Sequence, residues 1–336
     1  MGKYVFSGSE LQSQPTEDPS RNLVGNGSQT GKKRPSAMKY VVLVVLIAVG
    51  AVAAWHFLVG QKPVSSVTVK DPNAVPPATE AVANEPRSDN GRRIALSVGI
   101  DAVDPNNYNG SPMRLVGSVI DVLRFNDILK DAGFTSTVLE NAKATWGNVQ
   151  ARLLEAAETL KEGDLFVMTI SGHGGRHDIQ GKKHECWCLY DRVVWDAEIV
   201  RTFAKFRRGV RVLIVNDQCH AGGVFMEKSL PDEDMVKESE RILTDPAFPM
   251  LIQFAGCRAE QTSVATPEGS TWMSSLVRAL DAYPNHDCTL RQWFDKAFVD
   301  PAIRRGRQDP QWVERGTVTD EFRNDVILSK ISRRGN

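Results

Sequence analysis

The chain has 336 residues and a mass of 37.1 kDa, with 41 Lys+Arg balanced by 41 Asp+Glu and a hydrophobic fraction of 41%. The balanced charge argues against a nucleic-acid binder held by a basic surplus, and the ordinary apolar fraction argues against wholesale disorder. Five cysteines are too few for a disulfide scaffold, and all of them (Cys186, Cys188, Cys219, Cys257, Cys288) lie in the C-terminal half, where any thiol chemistry has to be sought.

In chain order, residues 1–39 read as a disordered polar and basic tail, without apolar periodicity. The 22 residues Tyr40–Gln61 contain no Asp, Glu, Lys or Arg, and residues 40–60 are read as a single transmembrane anchor. A cleaved signal peptide is the rival, because Ala51-Val52-Ala53 resembles a small-residue cleavage site, but the tail and the apolar run are both too long for one. Arg21, Lys32, Lys33, Arg34 and Lys39 precede the run, and only Lys62 and Lys70 follow closely. The N-terminus is therefore expected in the cytoplasm and the rest in the periplasm or outside the cell. Residues 61–91, with Pro63, Pro72, Pro76, Pro77 and Pro86, read as a Pro/Ala-rich linker.

Residues 92–336 read as the folded domain. Apolar runs predict strands at 94–100, 134–139, 165–170, 210–215 and 250–254. Helical spacing predicts helices at 115–132, 146–160, 197–206, 272–282 and 290–298. This alternation predicts an α/β domain with a mainly parallel sheet and helices on both faces, with its chemistry at the carboxyl ends of the strands. The charge-rich stretch 227–245 reads as a solvated loop.

Two strand exits draw attention. The third strand runs into Ser171-Gly172-His173-Gly174-Gly175 and the fourth into Asn216-Asp217-Gln218-Cys219-His220-Ala221-Gly222-Gly223. A thiolate can attack an acyl carbon, an imidazole can serve it as base and acid, and glycines open main-chain N–H groups to an oxyanion. Singly, each residue has a bland reading, as a loop histidine or a small buried cysteine. A zinc site among His173, His177, His184, Cys186, Cys188 and His220 is disfavoured, because no Cys-x-x-Cys pair or His-x-x-x-His helix is present.

These motifs resemble those of the caspase-like cysteine peptidases, the metacaspases and their bacterial relatives in particular. The Ser-Gly-His-Gly and Asp-x-Cys-His-x-Gly patterns are both present, with His173 standing 46 residues before Cys219. Leu115-Val116-Gly117 followed by Asp121, the run Cys186–Asp191, and the run Ala255–Ser263 resemble further family motifs in the family's order. The resemblance implies His173 as general base and acid, Cys219 as nucleophile, and the N–H groups of Gly174 and Cys219 as oxyanion hole. It also implies Asp121, Ser171 and Asp217 as the lining of the S1 pocket, with Ser118 standing where relatives often have Cys. Two carboxylates beside a nucleophile suit a basic P1 side chain, although a helix-terminal Asp and a turn Asp have plain structural readings too.

Many metacaspases use calcium. Here Lys182, Lys183, His184 and Ala197 stand where acids are expected, so no metal site is assigned, no cofactor is expected and any calcium is weak or unnecessary, with Asp191, Asp196 and Glu198 as the remaining acids. Family members are cut on maturation near the 227–245 stretch, which makes Lys228, Lys237 and Arg241 candidate processing points. The expected function is that of a membrane-anchored cysteine endopeptidase cleaving protein or peptide substrates after Arg or Lys. The alternative is a catalytically silent caspase-fold interaction module at the membrane.

Overall fold

The computed structural model of the chain describes residues 91–179, 182–226 and 234–331. The tail (1–39), the anchor (40–60) and nearly all of the linker (61–91) lie outside them. Among the described residues no helix is long and apolar enough to cross a membrane.

In chain order the elements begin with β1 (Arg93–Gly99), α1 (Ser118–Asp131), β2 (Thr135–Glu140), α2 (Trp146–Thr159) and β3 (Leu165–Ser171). There follow β4 (Gly174–Ile179), β5 (Lys182–Cys188), β6 (Val193–Trp195), α3 (Asp196–Phe203), β7 (Arg211–Asp217), α4 (Asp234–Leu243) and β8 (Met250–Ala255). The chain closes with β9 (Ala265–Thr266), β10 (Gly269–Ser270), α5 (Thr271–Asp281), α6 (Leu290–Phe298), α7 (Pro301–Arg305), β11 (Gln311–Arg315) and α8 (Asp320–Arg323).

Six strands form one sheet in the order β11-β8-β7-β3-β1-β2, parallel throughout except for β11, which runs antiparallel to β8. Period-2 alternation divides the apolar strands between two cores. Leu96, Val98, Phe166, Met168, Ile170, Val212 and Ile214 pack with Trp146, Val149 and Leu153 of α2 and with Ile199, Val200 and Phe203 of α3. Ala95, Val167, Leu213, Val215, Ile252 and Phe254 pack on the other side with Phe125 and Leu129 of α1, Trp272 and Leu276 of α5, and Trp293 and Phe294 of α6. Strands buried on both faces explain why they read as unbroken apolar runs.

Three features depart from the sequence expectations. Residues 234–243, read as part of a solvated loop, form helix α4, with Leu243 buried and Glu238 paired to Arg201 of α3 at 3.0 Å. Its apolar pairs Met235-Val236 and Ile242-Leu243 stand seven residues apart, two helical turns, within a run dominated by charge. The run after the His173 loop belongs to a separate antiparallel sheet, β4-β5-β6. The edge strand β11 was not expected at all.

Candidate active site

The parallel ladder between β3 and β7 pairs Ser171 with Asp217 at its carboxyl end. His173 and Cys219 each stand two residues beyond that rung, so the ladder brings the two exits side by side. The Gln218 side-chain amide donates to the His173 carbonyl at 2.7 Å, and the Cys188 N–H donates to the same oxygen at 3.1 Å. Gly174 lies flat on the nucleophile turn: a side-chain carbon at 174 would meet the Cys219 nitrogen at 3.2 Å and Gln218 Cβ at 3.0 Å. Only glycine permits that approach.

The imidazole of His173 is half-buried, and its Nε2 lies 2.9 Å from the Met113 carbonyl oxygen. A carbonyl only accepts, so Nε2 carries the proton and Nδ1 keeps its lone pair. Met113 holds this geometry with a left-handed backbone (φ 39°), uncommon for a non-glycine residue and often found at functional sites. Burial lowers the His173 pKa against the opposing hydrogen bond to Met113. Cys219 is a free, half-buried thiol, pushed up to about 11 by burial, with the Asp217 charge adding and hydrogen bonds from the Ser263 and Gly174 N–H groups opposing. The pair therefore rests neutral near pH 7. The following residue, His220, is also left-handed (φ 62°), its Nδ1–H donating to the Ala259 carbonyl at 2.7 Å and its N–H to the Gln261 carbonyl at 2.8 Å.

Behind the thiol lies a buried acidic cluster. Asp121 sits in the first turn of α1, which is capped by Asp101 at the β1 exit: its carboxylate accepts from the N–H groups of Ser118 at 2.9 Å and Val119 at 3.2 Å. The Ser171 hydroxyl donates to Asp121 at 3.4 Å, the Ser270 N–H to Asp121 at 2.9 Å, and the Ser263 hydroxyl to Asp217 at 2.5 Å. Burial lifts Asp121 to about 6 and Asp217 to about 8, the latter helped by the neighbouring Asp121 charge. Asp121, Ser171 and Asp217, expected together from the motifs, are thus brought together. Met113, Ser263, Ser270 and Gln308, whose amide reaches the Ser263 hydroxyl at 3.2 Å, were not given site roles from the sequence. Ser263 stood inside a motif that was noticed, but nothing in the sequence marks the Met113 carbonyl.

The remaining acids of a possible calcium site already have internal partners. Asp191 accepts the Trp146 N–H at 2.8 Å, Glu198 holds Arg192 through two bonds of 2.7 and 2.6 Å, and Asp196 accepts from His184 at 3.1 Å and from the Ala197 N–H at 2.7 Å. Among the described residues no group of three or more His, Cys, Asp or Glu could hold a metal ion. All five cysteines are free thiols, and four of them are buried.

A mainly parallel α/β sheet with an imidazole and a thiol at adjacent strand exits defines the class: a caspase-like α/β protein with a thiol–imidazole site. Residues 92–322 match the Caspase domain family, and the chain belongs to it. It is similar to Metacaspase-4 of Arabidopsis thaliana, 30% identical over 151 residues, which is 40% of this chain and 36% of that protein. It is also similar to Metacaspase-1B of Aspergillus fumigatus, 27% identical over 179 residues, 46% of this chain and 40% of that protein. The chain thus spans well under half the length of these curated relatives. A crystal structure of a Geobacter sulfurreducens protein superposes with a TM-score of 0.59 at 27% identity, covering 71% of this chain and 99% of that one.

Proposed function

We propose that this chain is a cysteine endopeptidase that cleaves after Arg or Lys. The observation that supports this reading most directly is that His173 and Cys219 each follow by two residues the paired ends Ser171 and Asp217 of neighbouring strands, with the His173 Nε2–H directed to Met113 and Nδ1 left to accept a proton. In the proposed reaction the Cys219 proton passes to Nδ1 as the sulfur attacks the acyl carbon. The Gly174 and Cys219 N–H groups take the oxyanion. His173 then returns the proton to the leaving amine, and water, with His173 as base, hydrolyses the thioester. Asp121, Ser171 and Asp217 receive the basic P1 side chain, whose charge meets the two carboxylates. The reaction is proposed to need no calcium.

The enzyme is further proposed to be held by a single-pass anchor at residues 40–60, with the peptidase domain on the far side of the membrane from the N-terminus and protein or peptide substrates reaching it there. The test is a panel of fluorogenic peptides that differ at P1, assayed with the full chain and with Cys219→Ala and His173→Ala. The expected result is turnover of Arg and Lys peptides, none of Asp peptides, and a loss of about a thousandfold or more in kcat for each variant. Wild-type-like turnover in Cys219→Ala would overturn the nucleophile assignment. A folded wild type silent on every peptide would favour an interaction module.

A further inference from the structure

The loop that carries His173 continues directly into β4, where Arg176 faces Glu185 across the antiparallel β4–β5 ladder. Arg176 Nε lies 3.1 Å from Glu185 Oε1, and its Nη2 lies 3.6 Å from Glu260 in the loop after β8. The Glu185 side chain is 3% exposed, Arg176 24% and Glu260 62%, so the first pair is sheltered and the second sits at the rim. The Glu185 carboxylate is also the surface on which the nucleophile turn rests. A side-chain carbon at Gly223, four residues after Cys219, would fall 2.6 and 2.7 Å from its two oxygens. One sheltered ion pair therefore touches both halves of the dyad: Arg176 through three residues of backbone from His173, and Glu185 through direct contact with the Cys219 turn. The backbone of Glu185 is held in turn by its N–H bond to Asp196 at 3.2 Å.

We propose that Arg176 and Glu185 are positioning residues, an ion-pair strut that sets the distance between the Cys219 turn and the His173 loop. The inference rests on the peptidase reading of that pair. Removing either partner breaks the link between strand β4 and the Cys219 turn, and the Glu185 side chain is no longer held against Gly223. Near-attack geometry is sensitive to such small displacements. The contacts that define the strut run to the Cys219 turn, Asp196 and Glu260, so it is expected to act on the chemical step and not on substrate binding.

The test uses the full-length chain in detergent with Glu185→Gln, Arg176→Ala, Arg176→Lys and the double variant Arg176→Ala/Glu185→Gln. Rates are expressed per Cys219 titrated by an irreversible thiol inhibitor, which removes any unfolded fraction from the comparison. The expected result is a fall of about tenfold in kcat for Glu185→Gln and Arg176→Ala with KM within about twofold, partial recovery in Arg176→Lys, and a double variant no worse than either single. Values of kcat within twofold of wild type in both single variants, or losses that simply add in the double variant, would overturn the strut.

Alkylation of Cys219 by iodoacetamide, followed by mass spectrometry, gives a readout without a peptide. It is expected to slow several-fold in Glu185→Gln with its apparent thiol pKa unchanged, and an unchanged rate would also overturn the proposal. If the wild type turns over no peptide at all, the peptidase reading fails, while the alkylation comparison still decides whether the strut positions the thiol.

Discussion

Two buried carboxyls, Asp121 and Asp217, make both substrate binding and stability depend on pH. Burial raises Asp121 to about 6 and Asp217 to about 8, so near pH 7 the two carboxyls share about one proton. A cationic P1 side chain favours the ionised forms. KM for Arg and Lys peptides is therefore expected to fall as the pH rises from 6 to 8, and Asp217→Asn is expected to flatten that fall and raise KM about tenfold at pH 8. Stability runs the other way. A carboxyl whose folded pKa lies above its unfolded value binds the extra proton in the folded state, so the stabilisation is complete below about 4 and is lost as the pH rises through 8. Asp217→Asn is accordingly expected to melt at a higher temperature than the wild type at pH 8, while the two converge near pH 4. Thermal melts across that range check the sign, and a variant that melts below the wild type at pH 8 would count against the raised carboxyl.

Secondary-structure elements decide whether those groups meet. Gly99, the last residue of β1, lets α1 lie directly on the sheet: a side-chain carbon there would approach Val122 Cγ2 at 2.5 Å and the Ser118 carbonyl oxygen and Val119 Cα at 3.0 Å each. Gly99→Ala is expected to destabilise the fold by about 1–3 kcal/mol through overpacking. Because α1 carries Asp121, it is also expected to raise KM for basic peptides more than it lowers kcat; steady-state kinetics and a melt read both. The elements that build this region were legible in the sequence because the central strands are buried on both faces and read as continuous apolar runs. His173 and Cys219 could be singled out as candidates because each stands just beyond a buried apolar strand with glycines close by, Gly172, Gly174 and Gly175 for the one and Gly222 and Gly223 for the other. Other parts carry no such mark. The Met113 carbonyl is backbone and has no side-chain signature, while the hydroxyl of Ser263 and the N–H of Ser270 reach their carboxylates from 46 and 149 positions away. Helix α4 was hidden because its charged residues outnumber its apolar ones. Strand β11 was hidden because an edge strand bearing Gln311, Glu314 and Arg315 buries only Val313.

Taken as a whole molecule, the chain is expected to differ from calcium-dependent relatives. The carboxylates that remain are bonded to Trp146, Arg192 and His184, so turnover in excess chelator is expected to match turnover in micromolar calcium. Activity that disappears in chelator and returns with calcium would contradict this. The proposed anchor predicts that the full chain sediments with membranes and resists alkaline extraction, and that residues 92–336 are digested by protease added to spheroplasts. Protection of that region would reverse the assigned orientation. The β3–β7 ladder has a last consequence, for how such a molecule tolerates change in length. The 46-residue interval between His173 and Cys219 equals the offset between paired residues of the two strands, so the dyad is addressed by rungs and not by contour length. Residues spliced into the turn between α3 and β7 would lengthen the tape without moving the teeth. A slip of one rung inside β7 would keep every residue and still turn alternate side chains to the opposite side of the sheet, carrying the thiol away from its base.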